Sequence, residues 1–433
     1  MSDVRPAVGD SSWFTHDRFG LFIHWGLYAL PARHEWVKQR EQIPDEVYQK
    51  YFERFDPDLY DPELWAKATR DAGMKYFVVT TKHHDGFCLW DTDQTDYKVT
   101  NTPYGKDLIA PMVDAYRGAG LRVGFYHSVI DWHHPHFVID DLHSMRNHPD
   151  RQKLNETRDQ SKYAEYLHAQ TRELLTRFGQ VDLLFFDFSY PSNETRVGKG
   201  REDWQSEKLL AMVRELQPRI LVNDRIDLHD VEGGWDYKTP EQFLVRDWVQ
   251  VNGQKVIWET CQTFSGSWGY HRDEATWKSV EQLLTMLIDT VSKGGNLLLN
   301  VGPTGRGEFD YRALDRLAGM GEWMKRHSRA IYGCTQAPAE FKTPNDCRLT
   351  YNPQTNRLYV HILNWPIKQL HLDGAFRERV AYAQLLNDAS EVFFHTPHEH
   401  QASIEGGVGE TLTLDLPITK PPVTIPVVEL YLK

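Results

Sequence analysis

Apolar residues in the first three-quarters of the chain fall in short continuous runs rather than in alternation with polar ones. Seven runs stand out: GLFIHWG from Gly20, YFVVTTKHH from Tyr76, LRVGFYHS from Leu121, VDLLFFDFS from Val181, ILVNDR from Ile220, KVIWETC from Lys255 and NLLLNVGP from Asn296. A strand with one wet face alternates, whereas a strand of a parallel sheet is buried on both faces and reads as an unbroken apolar stretch. Between the runs lie longer amphipathic helical stretches: PELWAKATRDAG from Pro62, DLIAPMVDAYRGAG from Asp107, YAEYLHAQTRELLTRFG from Tyr163 and WKSVEQLLTMLIDTVSKGG from Trp277. Several stop at glycine, which suits a left-handed helix cap. Seven strand–helix units in succession predict an α/β fold, a (β/α)8-like TIM barrel rather than an open sheet, with the eighth short strand near Ile331. From about Asp346 the texture changes. RLTYNPQTNRLYVHIL, ERVAYAQLLN, TLTLDLP and PVVELYLK are short strands divided by turn residues such as Asn-Pro and Asp-Gly. The predicted layout is a barrel over residues 1–340 and a C-terminal all-β sandwich over residues 341–433.

A barrel of this kind builds its site at the C-terminal ends of its strands. The first run ends in His24 and Trp25, the second in His83, His84 and Asp85, the third in Tyr126, His127 and Ser128. The fourth ends in Asp187, the fifth in Asn223, Asp224 and Arg225, the sixth in Trp258 and Glu259. One polar end means little; six, on runs otherwise apolar, predict a polar pocket at one mouth. Asp187 is the sharpest case, because it follows Leu-Leu-Phe-Phe directly and sets a charge at the edge of a buried sheet. Alone it reads equally well as a solvated loop residue or a helix cap; its imidazole, Tyr and Arg company makes it a catalytic candidate. The His83-His84 pair raises the question of a metal. Adjacent strand residues point to opposite faces unless the strand has already turned into loop, and no HxH or HExxH spacing supports an ion. No metal and no cofactor are expected, and imidazoles that hydrogen-bond hydroxyl groups fit these positions better.

Composition narrows the chemistry. A chain of 433 residues is long enough for two cores. Its net charge of -12 argues against nucleic acid and anionic membrane surfaces as partners. No GxSxG elbow, phosphate-binding loop or GxGxxG follows a strand, so serine hydrolase, nucleotide hydrolase and dinucleotide enzyme lack their signals. What remains abundant is carboxylate, histidine and tryptophan, 14 of the last. An indole needs a partner for its N–H when buried, and flat rings suit the C–H faces of sugars. That set belongs to a glycosidase, in which one carboxylate acts at the anomeric carbon and another handles the proton. The four cysteines, Cys88, Cys261, Cys334 and Cys347, show no CxxC spacing, and MSDVRPAVGDSSWF contains no apolar signal core. No apolar stretch approaches the ~20 residues that span a bilayer. A cytoplasmic protein with reduced thiols is the expectation.

The runs FGLFIHWGLYALPARHEWV, AGMKYFVVTTKHHDGFCLWDT, VDLLFFDFSY, WETCQTFSGSWGY and GGNLLLNVGPTGRG, in this order from about Trp13 to Gly307, together resemble the α-L-fucosidases of glycoside hydrolase family 29. The resemblance implies a retaining, exo-acting enzyme that removes terminal α-L-fucose from oligosaccharides or glycoconjugates through a covalent fucosyl-enzyme. It implies Asp187 as nucleophile and a fucose pocket of His24, Glu35, Trp36, His83, His84, Tyr126 and Arg225. Where many members carry Trp two residues before the nucleophile, this chain has Phe185, which keeps a stacking surface and loses an indole donor. The acid/base varies within the family. Glu241, in GWDYKTPEQF, matches the position some members use, and Glu259, in WETC, is its rival. Glu241 is preferred physically, since a loop after the fifth strand lets it swing against the leaving group, whereas Glu259 can orient neighbours such as Arg225. Trp268 and Tyr270, in SGSWGY, line the pocket or the aglycone side, or serve structure alone. Two other readings stay open at this point: a catalytically weak carbohydrate-binding protein on a glycosidase scaffold, and a metal-dependent barrel hydrolase.

Overall fold

The computed structural model describes residues 3–397 and 411–433. The barrel strands are β1 (Phe19–Ile23), β2 (Tyr76–Lys82), β3 (Arg122–Ser128), β4 (Leu183–Asp187) and β5 (Leu221–Val222). A small antiparallel hairpin of β6 (Gln250–Val251) and β7 (Gln254–Lys255) intervenes before β8 (Glu259–Thr263) and β9 (Asn296–Val301). The seven barrel strands are parallel, in the order β5-β4-β3-β2-β1-β9-β8. Every residue of β1, β2, β8 and β9 is buried, which is why β1, β2 and β9 read as largely continuous apolar runs, whereas β8, Glu-Thr-Cys-Gln-Thr, is buried but polar. One face of each strand fills the barrel interior, with Phe22, Val78, Tyr126, Phe185, Cys261 and Leu298, while Trp13 and Phe14 pack into the same cluster. The other face packs on the surrounding helices, among them Pro62–Asp71, Ile109–Gly118, Gln160–Arg177, Ser206–Leu216, Val280–Ser292 and Tyr311–His327.

The helices start where the sequence supplies acceptors for the first unpaired N–H groups. Asp61 accepts from the backbone of Glu63 and Leu64, and Ser279 with Gln282 forms a reciprocal capping box. The helix Val280–Ser292 ends through Gly294, whose φ of +77° favours glycine and whose missing Cβ leaves room for the Trp248 ring.

Closure differs from the expectation. Ile331 is a buried residue in the turn after a short 3-10 helix, Ser328–Ala330, and not a barrel strand. The eighth place is filled instead by the irregular segment 236–242, which lies between β5 and β8. Asp236 N–H donates to the Val222 carbonyl at 2.8 Å on one side, and Lys238 exchanges bonds with Ile257 and Glu259 at 2.9 Å each on the other. Pro240 has no N–H to give, so the segment never becomes a regular strand, and no apolar run announces it. A second difference concerns KVIWETC. Lys255 belongs to the hairpin and β8 begins at Glu259, so Trp258 and Glu259 stand at the N-terminal end of that strand and not at its mouth.

The remaining strands are β10 (Thr335–Gln336), β11 (Cys347–Asn352), β12 (Arg357–Ile362), β13 (Gln369–Leu372), β14 (Val380–Leu385), β15 (Phe393–His395), β16 (Leu412–Asp415) and β17 (Val427–Leu432). They form two antiparallel sheets, β10-β11-β12-β17-β14 and β13-β16-β15. Leu349, Val360, Leu372, Leu414 and Leu430 from both sheets share one core, as expected of a sandwich. The larger sheet leans on the barrel helices: Trp323 Nε1 donates to the Ile425 carbonyl at 2.8 Å, and Arg348 Nε lies 2.7 Å from Asp289 Oδ1.

Candidate active site

Side chains alternate along a strand, and this selects what reaches the barrel mouth. On β1 and its extension, Phe22 and His24 point inward, while Trp25 packs outward against Phe55, Tyr60 and Trp65. On β4 the inward pair is Phe185 and Asp187. The pocket at the mouth is lined by Phe22, His24, Trp36, His83, His84, Tyr126, Phe185, Asp187, Phe188, Arg225, Glu241, Cys261 and Trp268. It thus brings together Asp187, Glu241, His24, Trp36, His83, His84, Tyr126, Phe185, Arg225 and Trp268 and leaves out Glu35, Glu259 and Tyr270, as well as the other strand-end residues Trp25, Asp85, His127, Ser128, Asn223, Asp224 and Trp258. Phe22, Phe188 and Cys261 had not been anticipated; Phe22 could have been found by stepping two residues back from His24. β2 ends at Lys82, so His83 and His84 lie beyond the strand and both face the pocket, their ring centres 4.1 Å apart.

Asp187 is held on both carboxylate oxygens. Arg225 Nη1 donates to Oδ1 at 2.7 Å, and the Tyr126 hydroxyl donates to Oδ2 at 3.0 Å. His84 Nε2 stands 3.8 Å from Oδ2. The second terminal nitrogen of the same guanidinium, Arg225 Nη2, lies 2.7 Å from Glu241 Oε2. Arg225 therefore links the two carboxylates. Burial works against its charge, but facing Asp187, Cys261 and Glu241 pushes its pKa well up, so it is a permanent cation. The two acids differ in exposure: the Asp187 side chain is 13% exposed and that of Glu241 38%. Asp187 sits inside the pocket, and Glu241 stands at its rim, beside solvent.

The imidazoles are neutral. Burial lowers His24 and His84 to about 3 and moves His83 well down. His24 Nδ1 is 2.6 Å from Asn300 Oδ1, and Asn300 Nδ2 donates to the Trp268 carbonyl at 2.7 Å. With the Asn amide oriented that way, Nδ1 of His24 carries the proton and Nε2 is left as an acceptor. His84 Nδ1 lies 2.6 Å from Ser128 Oγ. Glu35 is buried just behind the pocket and its Oε2 accepts from Gly269 N–H at 2.9 Å. Burial raises its pKa. A Cβ on Gly269 would come within 2.9 Å of the Glu35 backbone nitrogen, so the close approach that places Trp268 over the pocket requires glycine there. Tyr270, from the same motif, lines a separate small cavity with His271 and Trp277.

Glu259 does not reach the mouth. It is fully buried in the barrel interior, where the Tyr76 hydroxyl donates a hydrogen bond to Oε2 and Oε1 has no partner among the described residues. Burial pushes its pKa to about 8. A folded-state value above the unfolded one, about 4.3, means that the associated stability is complete below the unfolded value and is lost as pH rises through the folded value. We therefore expect Glu259→Gln to keep near wild-type turnover. We also expect the melting temperature of the wild type to fall relative to Glu259→Gln as pH rises from about 5 to about 8, measured by calorimetry across that range. Loss of turnover in the folded Glu259→Gln variant would give Glu259 a catalytic part.

The family model described as Alpha-L-fucosidase matches residues 7–329. Human plasma alpha-L-fucosidase is 29% identical over 389 residues, which cover 82% of this chain and 76% of the relative. Among solved structures, alpha-L-fucosidase isoenzyme 1 from Paenibacillus thiaminolyticus matches with a TM-score of 0.90 at 43% identity, covering 98% of each chain. A family 29 alpha-L-fucosidase from Bacteroides thetaiotaomicron, solved as a trapped covalent intermediate with 2-fluoro-fucosyl fluoride, matches with a TM-score of 0.82 at 26% identity, covering 99% of this chain and 98% of its own.

Proposed function

The chain belongs to the α-L-fucosidase family, glycoside hydrolase family 29, and on that premise we propose that it releases terminal α-L-fucose from oligosaccharides or glycoconjugates by double displacement through Asp187 and Glu241. The observation that carries this reading is the single guanidinium of Arg225 bonded to both carboxylates. A retaining pair works with its carboxyl groups about 5–5.5 Å apart. Two acids on neighbouring nitrogens of one planar cation are close neighbours, and the rim position of Glu241 lets side-chain rotation complete the approach. A pure sugar-binding site has no use for such a pair, which speaks against the non-catalytic alternative.

Asp187, held between Tyr126 and Arg225, attacks the anomeric carbon and its oxygen forms the new C–O bond as the leaving group departs. Glu241, carrying a proton, gives it to the departing oxygen. The same residue, now a carboxylate, takes a proton from the water that cleaves the fucosyl-Asp187 ester, and the enzyme returns to its starting state. Neutral imidazoles at His24, His83 and His84 offer lone pairs and N–H groups to the sugar hydroxyls. Phe22, Phe185 and Trp268 supply an apolar wall for the C6 methyl group.

The stereochemical course tests this reading. Proton NMR of the first product released from an aryl α-L-fucoside should show α-fucose before mutarotation, and incubation with a 2-fluoro-fucosyl donor should add one sugar mass to the peptide that contains Asp187. β-Fucose as the first product would sink the double-displacement reading.

A further inference from the structure

The segment that closes the barrel carries Glu241, yet it is poorly paired to β5, which is only two residues long. What replaces the missing ladder is a side-chain chain. Asp224 Oδ1 accepts from the Thr239 N–H at 3.2 Å and from the Thr239 hydroxyl at 2.7 Å, and Asp224 Oδ2 lies 2.9 Å from Lys238 Nζ. Arg225 Nε donates to Thr239 Oγ1 at 2.8 Å, and Arg225 Nη2 donates to the Thr239 carbonyl at 3.1 Å. The roles are forced, because a guanidinium only donates and a carboxylate only accepts. The Thr239 hydroxyl must accept a hydrogen bond from Arg225 and donate its own to Asp224. Thr239 is buried, so water does not stand in for either partner. Two of the N–H groups of Arg225 are spent on Thr239, and they set the plane in which its terminal nitrogens meet Asp187 and Glu241.

We infer that Thr239, backed by Asp224, is a positioning residue for the reaction: its hydroxyl orients Arg225 and pins the strand-like segment that presents Glu241. This rests on Glu241 as the acid/base. Neither residue touches the pocket, so the effect on rate passes through Arg225 and Glu241. A threonine at this position reads in sequence as an ordinary loop residue, and its two neighbours, Lys238 and Pro240, hide it further.

The test compares Thr239→Val, which keeps the shape and removes the hydroxyl, with Thr239→Ser, which keeps the hydroxyl. Thr239→Val should lower kcat by about tenfold or more on a natural fucosyl disaccharide, the scale of leaving buried polar partners unsatisfied. KM should change much less. The loss in kcat/KM, which reports the first step, should shrink to about threefold or less on an aryl fucoside with a good leaving group, where the acid matters least. Thr239→Ser should stay within about threefold of wild type on both substrates. Asp224→Asn, which keeps the size and one acceptor, should show the same substrate dependence at smaller amplitude, and it replaces the valine variant if that protein does not fold. Equal losses on both substrates, a serine variant as impaired as the valine one, or a valine variant with wild-type kcat would each overturn the inference. Glu241→Ala with azide serves as the control for the underlying reading. If azide fails to rescue that variant, the acid/base assignment falls; if azide rescues it while Thr239→Val turns over normally, only the positioning inference falls.

Discussion

Replacing Asp187 by glycine should lower the turnover of an aryl α-L-fucoside by roughly a thousandfold or more, the scale at which removal of a nucleophile is felt. Asp187 is the inward, last residue of β4, with Arg225 on one oxygen and Tyr126 on the other, and the other carboxylate among the described lining residues, Glu241, stands at the rim. Without it no glycosyl ester can form at that position. The fold should survive, because the side chain closes a pocket and does not fill a core, and Arg225 keeps Glu241 and Thr239 as partners. Calorimetry should therefore show a folded protein. Azide can enter the space left by the carboxylate, but an anion attacking there displaces the aglycone in one step. The product is a fucosyl azide of inverted configuration, and the hydrolytic route of the wild type is not restored. A folded Asp187→Gly enzyme that hydrolyses the substrate at a near-normal rate would remove Asp187 from the chemistry altogether.

Much of this site was legible in the sequence, and the reason is the arithmetic of a barrel. Strands buried on both faces leave continuous apolar runs, and a polar residue that ends such a run has only the mouth to go to. Asp187, His24 and Arg225 follow from that rule. What the rule does not supply is phase. KVIWETC looks like one strand ending in Glu259, but its first residue belongs to a hairpin, and the strand begins where it was expected to stop. The shift moves Glu259 from the mouth to the barrel interior. The eighth barrel position is hidden in the sequence for a related reason. The segment 236–242 is polar, contains Pro240 and takes its bonds from β5 and β8, far away in sequence. The apolar pattern around Ile331 resembles a short strand but answers to packing beyond a helix end. Thr239 shows a third kind of silence. Its importance lies in partners at Asp224 and Arg225, a relation that no periodicity carries.

Glu241→Ala should separate the two acid/base candidates by substrate rather than by total rate. General acid–base assistance is worth about a hundredfold to ten-thousandfold, and its share depends on how much help the leaving group needs. On a natural linkage the departing sugar oxygen must be protonated, so Glu241→Ala should lose most of that factor. On a fucoside with a good leaving group the first step should be nearly normal. The second step, which needs a base to activate water, should then become slow, and the fucosyl-Asp187 ester should accumulate as a burst in pre-steady-state kinetics. Azide needs no base. It should attack that ester and raise turnover in part, giving a fucosyl azide with the configuration of the substrate, opposite to the product expected from Asp187→Gly. The exposed rim position of Glu241 makes alanine tolerable there, and Arg225 keeps its bonds to Asp187 and Thr239. Azide rescue with retained configuration in Glu259→Ala, and none in Glu241→Ala, would reverse the assignment. The structure speaks against that outcome, because Glu259 lies in the barrel interior, bonded to Tyr76, where neither a leaving group nor an attacking water meets it.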